Sequence, residues 1–322
     1  MTPVASTHTA FTASPPSCIS FSALDPTLLV VGTYTLDESA TTLETKKRGT
    51  LDLYRLSCAA AGLTRLQSLP TAMGAVLDLK FSPREKDLVA VAESRGAVSL
   101  YRVDAAAGSV AHEATLALFP PEILVLALTF SPADADVLAV TMSDGGVAVL
   151  DLAKGETRYA YTPHMLEAWT SEFSRDGKKL FSGGDDSVMV VHDLEAQMEV
   201  GRSRRGAHGA GVTAILAQED DGVWSGSYDE TLRVWDLRGR MTAMDEKRLG
   251  GGVWRLLEMG GDRVLASCMH AGARVVRKKD LEVVAAWEEN ESMNYGGHVH
   301  LDTPEVVASC SFYDKRLCIW SI

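Results

Sequence analysis

The sequence predicts an all-β protein, a seven-bladed β-propeller built from short four-stranded sheets. Three observations predict it. A unit of about 40–45 residues recurs along the chain, the apolar runs in each copy alternate with period two, and no helical periodicity persists beyond about two turns. Each unit comprises an apolar stretch ending Phe-Ser or similar, a turn, and a β run ending in small residues. A polar turn follows, and then a β run that closes on an aromatic or its equivalent.

The clearest copy, residues 223–237, reads Val-Trp-Ser-Gly-Ser-Tyr-Asp-Glu-Thr-Leu-Arg-Val-Trp-Asp-Leu. It carries the Trp-Asp dipeptide of WD repeats at Trp235 and Asp236. The equivalents of Trp235 are Tyr54, Tyr101, Leu150, His192, Val276 and Trp320. Successive gaps of 47, 49, 42, 43, 41 and 44 residues admit seven registers, with loop insertions in the first two. Residues 232–237 (Leu-Arg-Val-Trp-Asp-Leu) and 98–103 (Val-Ser-Leu-Tyr-Arg-Val) alternate as strands with one buried face do.

The last blade stops after its third strand and lacks an outer one. Residues 8–14 (His-Thr-Ala-Phe-Thr-Ala-Ser) are β-compatible and are expected to supply it, closing the ring and hiding a sheet edge. Residues 37–48, rich in Thr, Glu and Lys, are expected to form a mobile hairpin tip without a functional role. No long, Pro/Ser-rich or single-charge linker interrupts the chain, so residues 1–322 are expected to form one domain.

Composition narrows the function. Hydrophobic residues make up 46% and charged residues 23%, which suits a packed soluble protein. Thirty-one basic against 43 acidic side chains give a net charge of -12, which argues against nucleic-acid binding and favours a cationic partner surface. No signal peptide opens the chain, and no apolar run approaches the roughly 18 residues of a membrane span. The five cysteines (Cys18, Cys58, Cys268, Cys310, Cys318) form no C-x-x-C pair, so a reducing cytosol is expected. A monomer is expected, with no cofactor and no resident metal.

A propeller fold does not specify a function. The site is expected on the top face, where the turns between second and third strands meet the loops between blades. Asp144, Asp186, Asp229, His270 and Asp314 share one turn position, preceded by Ser143, Asp185, Tyr228, Met269 and Tyr313. Most of these aspartates are expected to cap their turns and hold the neighbouring loop; His270 breaks the pattern. His208, in Gly-Ala-His-Gly at 206–209, resembles the structural Gly-His element of WD repeats. The aligned His164 lies in Pro-His-Met-Leu-Glu-Ala-Trp at 163–169, with Glu167 and Trp169. Trp254 aligns with Trp169 through Gly-Gly-Gly-Val-Trp-Arg at 250–255. Innermost strands usually carry small or β-branched residues, so two tryptophans here either form a site or plug the channel.

Six motifs together resemble one family within the WD-repeat proteins. They are Glu-Ala-Trp-Thr-Ser-Glu-Phe at 167–173, Ser-Gly-Gly-Asp-Asp at 182–186, Gly-Ser-Tyr-Asp-Glu at 226–230, Gly-Gly-Val-Trp-Arg at 251–255, Cys-Met-His at 268–270 and Cys-Ser-Phe-Tyr-Asp at 310–314. The chain is similar to the diphthine methyl ester hydrolases of the diphthamide pathway, also called diphthine methyltransferases. The match is strong from about His164 onward and looser over the first three blades. One departure stands out: where the family has Tyr-Gly-x-Asp-Trp, this chain has Tyr295-Gly296-Gly297-His298-Val299.

The resemblance implies removal of a carboxyl methyl ester, as methanol, from methylated diphthine on translation elongation factor 2. That substrate carries a trimethylammonium group, which has no hydrogen to donate and is recognised by aromatic faces. Trp169, Trp254, Tyr228 and Tyr313 are the expected cage, with Arg255 or backbone amides on the carbonyl oxygen. Water is expected to attack with His270 or His164 as base and Asp185 or Glu167 orienting the imidazole. No G-x-S-x-G elbow occurs. A Cys268 nucleophile, or a metal on His298, His300 and Asp302, are weaker alternatives. From other classes, a non-catalytic scaffold or a trimethylammonium reader remain open.

Overall fold

The computed structural model describes residues 1–57, 62–219, 222–238 and 241–322; Cys58 lies outside them. Among the described residues, 29 strands form seven blades arranged as a β-propeller, as the repeat spacing predicts, and two more strands pair in a small separate hairpin beside a four-residue helix. All seven residues aligned with Trp235 fall on third strands, from Thr50–Ser57 in the first blade to Arg316–Ser321 in the seventh. The chain divides into two compact units, one of 1–124 with 257–322 and one of 125–256.

In the first unit, Ser6–Phe11 pairs antiparallel with Arg316–Ser321 and completes the seventh blade as its outer strand. The strand lies slightly earlier than the expected 8–14. Thr2–Val4 goes further and pairs parallel with Val283–Trp287, adding a fifth strand to the sixth blade. The Trp287 indole N–H donates to Ser6 Oγ at 2.9 Å, fixing the register of both N-terminal strands. Within 37–48 the chain forms a one-turn helix, Leu43–Lys46, on a two-stranded hairpin of Thr35–Leu36 with Lys47–Arg48. Cys18, Cys268, Cys310 and Cys318 are buried and form no disulfide among the described residues.

The second unit holds blades three to five. Trp235 is fully buried and its indole N–H donates to Ser225 Oγ at 2.8 Å. That hydroxyl also meets His208 Nε2 at 2.8 Å, while Asp229 accepts from Gly209 N at 2.6 Å. Adjacent blades pack so tightly that a Cβ on Gly183 would sit 2.6 Å from Val212, and one on Gly226 only 2.4 Å from Val253. These glycines are therefore dictated by packing rather than by backbone conformation.

One irregularity recurs and positions the site. The innermost strands of blades three, four and five each skip one residue in their pairing, at Leu126, Trp169 and Thr213. Such a β-bulge leaves one residue unpaired and re-aims its side chain. Val253 packs on Gly226 as Val212 packs on Gly183, so Trp254 occupies the position of Thr213 and Trp169.

Candidate functional site

Within the second unit the two tryptophans meet. The Trp169 and Trp254 ring centroids lie 5.4 Å apart with planes tilted by 56°, and both rings are half-buried. The Trp169 indole N–H donates to Asp185 Oδ1 at 3.0 Å, from the turn between Lys179–Gly184 and Met189–Asp193. The Asp185 backbone N–H donates to the Glu167 carbonyl at 2.8 Å, tying that turn to the loop leading into Trp169. Gly211 makes this possible: a Cβ there would lie 2.7 Å from Asp185 Oδ1 and 3.1 Å from its Cα. The Arg255 guanidinium carbon stands 5.8 Å from the Trp254 ring centroid, so that indole already receives a cation on its π-system. Tyr228, in the turn of the fifth blade, is exposed.

Two expectations are revised by this geometry. Asp185 does not orient an imidazole; its carboxylate is taken by the Trp169 N–H. The carboxylate facing His164 is that of Asp186, with Nδ1 3.1 Å from Oδ1, while Nε2 lies 2.9 Å from Ser182 Oγ. His164 is buried and both ring nitrogens are engaged; its Nε2 meets Ser182 as the His208 Nε2 meets Ser225. Burial outweighs the Asp186 attraction and lowers the His164 pKa, holding the ring neutral. Its geometry is that of a structural element, and it has no open nitrogen with which to take a proton from water. Glu167 stands half-buried in the same loop, and its backbone carbonyl, not its carboxylate, makes the contact with Asp185.

His270, in the first unit, differs. It is exposed at the tip of the sixth blade's turn, and its ring has no partner among the described residues. The turn is also built differently. In blades four, five and seven the left-handed residue follows the aspartate (Ser187 at φ 65°, Glu230 at 70°, Lys315 at 55°). Here it precedes the histidine, at Met269 with φ 42°, and Gly272 at 77° closes the turn. Asn290 holds this loop from the following connection, its Nδ2 donating to the Met269 carbonyl at 3.1 Å and to the His270 carbonyl at 3.4 Å. Sequence reasoning missed Asn290, because its role depends on backbone carbonyls that no motif reveals.

Tyr313, the fourth expected cage residue, also lies in the first unit and is exposed. It packs edge-on against Phe312 with centroids 5.0 Å apart, and Phe312 contacts Tyr295 at 5.6 Å and Tyr34 at 6.3 Å. Tyr295 is the residue skipped in the innermost strand of blade seven, the same register position as Trp169. The alignment signal was therefore available, hidden by the altered Tyr-Gly-Gly-His segment.

The weaker alternatives find little support. Burial pushes the Cys268 thiol up to about 12, and its Sγ–H points to the Ala266 carbonyl, which disfavours a thiolate nucleophile. His298 and His300 both pack on Phe21, at 6.0 and 4.9 Å. The His298 Nδ1 accepts from Phe21 N, and the His300 Nδ1 accepts from Asp302 N and Thr303 N. Among the described residues no three His, Cys, Asp or Glu side chains converge as metal ligands. No helix among them is long and apolar enough to cross a membrane.

Comparison with known proteins extends the picture. The family described as "WD domain, G-beta repeat" matches residues 202–236, the repeat that contains Trp235-Asp236. A chain in a crystal structure of the mitotic checkpoint complex superposes with a TM-score of 0.73 over 97% of this chain and 93% of that one. At 14% identity that likeness shows the fold alone. Diphthine methyltransferase of Saccharomyces cerevisiae is 28% identical over 96% of both chains. The Schizosaccharomyces pombe protein of the same name is 35% identical over 97% of this chain and 96% of its own length. This chain belongs to the diphthine methyltransferase family.

Proposed function

We propose that this chain is a carboxylic ester hydrolase that removes the methyl ester from methylated diphthine on translation elongation factor 2. The products are diphthine and methanol, a step of diphthamide biosynthesis, and the setting is the cytoplasm. Family membership supports a diphthine methyl-modifying enzyme. The observation that carries the recognition half is the Trp169–Trp254 pair backed by the Asp185 carboxylate.

A quaternary ammonium has no N–H, so it gains nothing from hydrogen-bond acceptors and much from π-faces and nearby negative charge. Trp169 and Trp254 supply the faces, and Asp185, 3.0 Å from the Trp169 Nε1, supplies the charge while holding the ring in place. Tyr228 is a further exposed ring in this unit. Arg255 is assigned to the ester carbonyl oxygen, a role that draws its guanidinium off the Trp254 ring and opens that ring to the ammonium. The net charge of -12 speeds encounter with a cationic loop of the factor.

In the reaction, water adds its oxygen to the ester carbonyl as a base removes its proton, and the carbon–methoxy bond then breaks as the base returns that proton to the methoxide oxygen, so that methanol leaves. Taken by itself, the His270 imidazole, exposed and unengaged among the described residues, has the chemistry such a base requires.

The test is to incubate purified chain with the methylated factor and measure both binding and turnover. The proposal expects methanol release that His270→Ala abolishes, with binding retained. Equal binding to ester and acid forms without turnover would identify a reader, and neither binding nor turnover a scaffold.

A further inference from the structure

A cleft of about 490 Å³ lies in the first unit, where the 37–48 insertion stands beside the edge of the second blade. Its lining carries three cations, Lys47, Arg48 and Arg95, and one carboxylate, Glu44, in a chain whose net charge is -12. The cations are poorly compensated. Lys47 has no carboxylate partner among the described residues, and burial together with the neighbouring Lys46 ammonium lowers its pKa. Arg95 meets Glu44 at only 3.5 Å, and Arg48 meets Asp37 at 3.6 Å. Both separations exceed the 2.6 Å of close pairs elsewhere in the chain, such as Arg202–Glu199 and Arg238–Asp236. The buried Arg95 Nε has no hydrogen-bond partner among the described residues, while Nη2 donates to the Ala72 carbonyl at 2.9 Å and fixes the guanidinium in place.

Holding a buried guanidinium N–H unsatisfied is costly, and a half-buried ammonium without a counter-ion adds to that cost. An incoming carboxylate would relieve both. The cleft is far larger than one small anion needs and lies in the range that accommodates several linked groups. Its walls mix polar and apolar surface, and Pro70 and Thr71 are among the lining residues. An extended peptide with spaced carboxylates fits these dimensions and this charge.

We propose that this cleft docks an acidic segment of a protein partner, with Lys47 and Arg95 as its principal anchors and Arg48 at the rim. The rest of the acidic surface repels such a segment, so the cleft selects where it binds as well as whether it binds. The inference is independent of the esterase reading, and its test does not measure turnover.

Titration calorimetry of the full chain at low ionic strength with a capped hexaglutamate peptide is the direct experiment, with hexaglutamine and inorganic phosphate as comparison ligands. Hexaglutamate should bind, hexaglutamine should not, and Lys47→Glu should weaken binding by about tenfold or more. Arg48→Glu, on an exposed side chain that no folding argument protects, should weaken it several-fold. Lys154→Glu changes the net charge equally but lies in the other unit, and should leave binding within about twofold. Failure of hexaglutamate to bind, an equal loss in the Lys154 variant, or saturation by phosphate alone would overturn the proposal.

Discussion

Replacing Trp169 by alanine probes the recognition site most sharply. The substitution removes one of two indoles whose centroids lie 5.4 Å apart and releases Asp185 from its 3.0 Å hydrogen bond. A cation–π contact is worth about 0.5–2 kcal/mol, toward the upper end when desolvated. Losing one face and the positioned carboxylate should therefore remove about 1–2 kcal/mol, or about 5- to 30-fold in kcat/KM. Trp254→Ala should behave similarly. The double variant should lose less than the sum, because the two rings contact each other and share one ligand. Trp169→Phe keeps a π-face but cannot donate to Asp185, and should lie between wild type and alanine. The assay is steady-state esterolysis of a diphthine methyl ester peptide beside its uncharged isostere, a tert-butyl group in place of trimethylammonium. The alanine penalty should appear with the cationic substrate and vanish with the neutral one. If both single variants stay within about twofold of wild type, or penalise the two substrates equally, the cage is refuted.

Further outcomes follow from neighbouring contacts. Gly211→Ala places a methyl group 2.7 Å from Asp185 Oδ1, so it should weaken binding of the cationic substrate several-fold in calorimetry while the fold is retained. His164→Ala removes a buried ring and leaves the buried Ser182 hydroxyl without its partner, and should cost about 2–4 kcal/mol of stability in urea unfolding, a scaffold effect that separates it from His270→Ala. Burial, helped by the Arg233 charge, holds His208 down to about 4, against about 6.5 unfolded. The unfolded chain then binds the proton first as pH falls, so stability is full above about pH 6.5 and is lost toward pH 4, by about 3 kcal/mol from this group. His208→Gln should flatten that slope without abolishing it, because burial also holds His298 down to about 4.

How much of this was legible in the sequence varies with the kind of interaction. Third strands were found at every register because spacing and alternation are local properties, and Trp235, Tyr101 and Trp320 mark them directly. The closing strand was legible from a blade left one strand short, although Thr2–Val4 and its parallel pairing were not: three residues carry no periodicity. The Trp169–Trp254 equivalence could be read from alignment. Their contact, and its dependence on Asp185 and Gly211, could not, because it is made across strands far apart in sequence. His164 looked available for chemistry from its neighbours alone, and only the positions of Asp186 and Ser182 reveal that both its nitrogens are engaged. His270 and Asp229 align perfectly in number, yet the left-handed residue moves from one side of the turn tip to the other, a change of backbone that side-chain identity does not encode.

The proposed reaction is hydrolysis of an ester rather than transfer of a methyl group. Mass spectrometry of the methylated factor, incubated in heavy-oxygen water with this chain as the only protein added, tests it most directly. The account predicts loss of one methylene from the modified histidine, release of methanol, and one heavy oxygen in the new carboxylate. An unchanged mass, or a gain of methyl when a methyl donor is supplied, would contradict it.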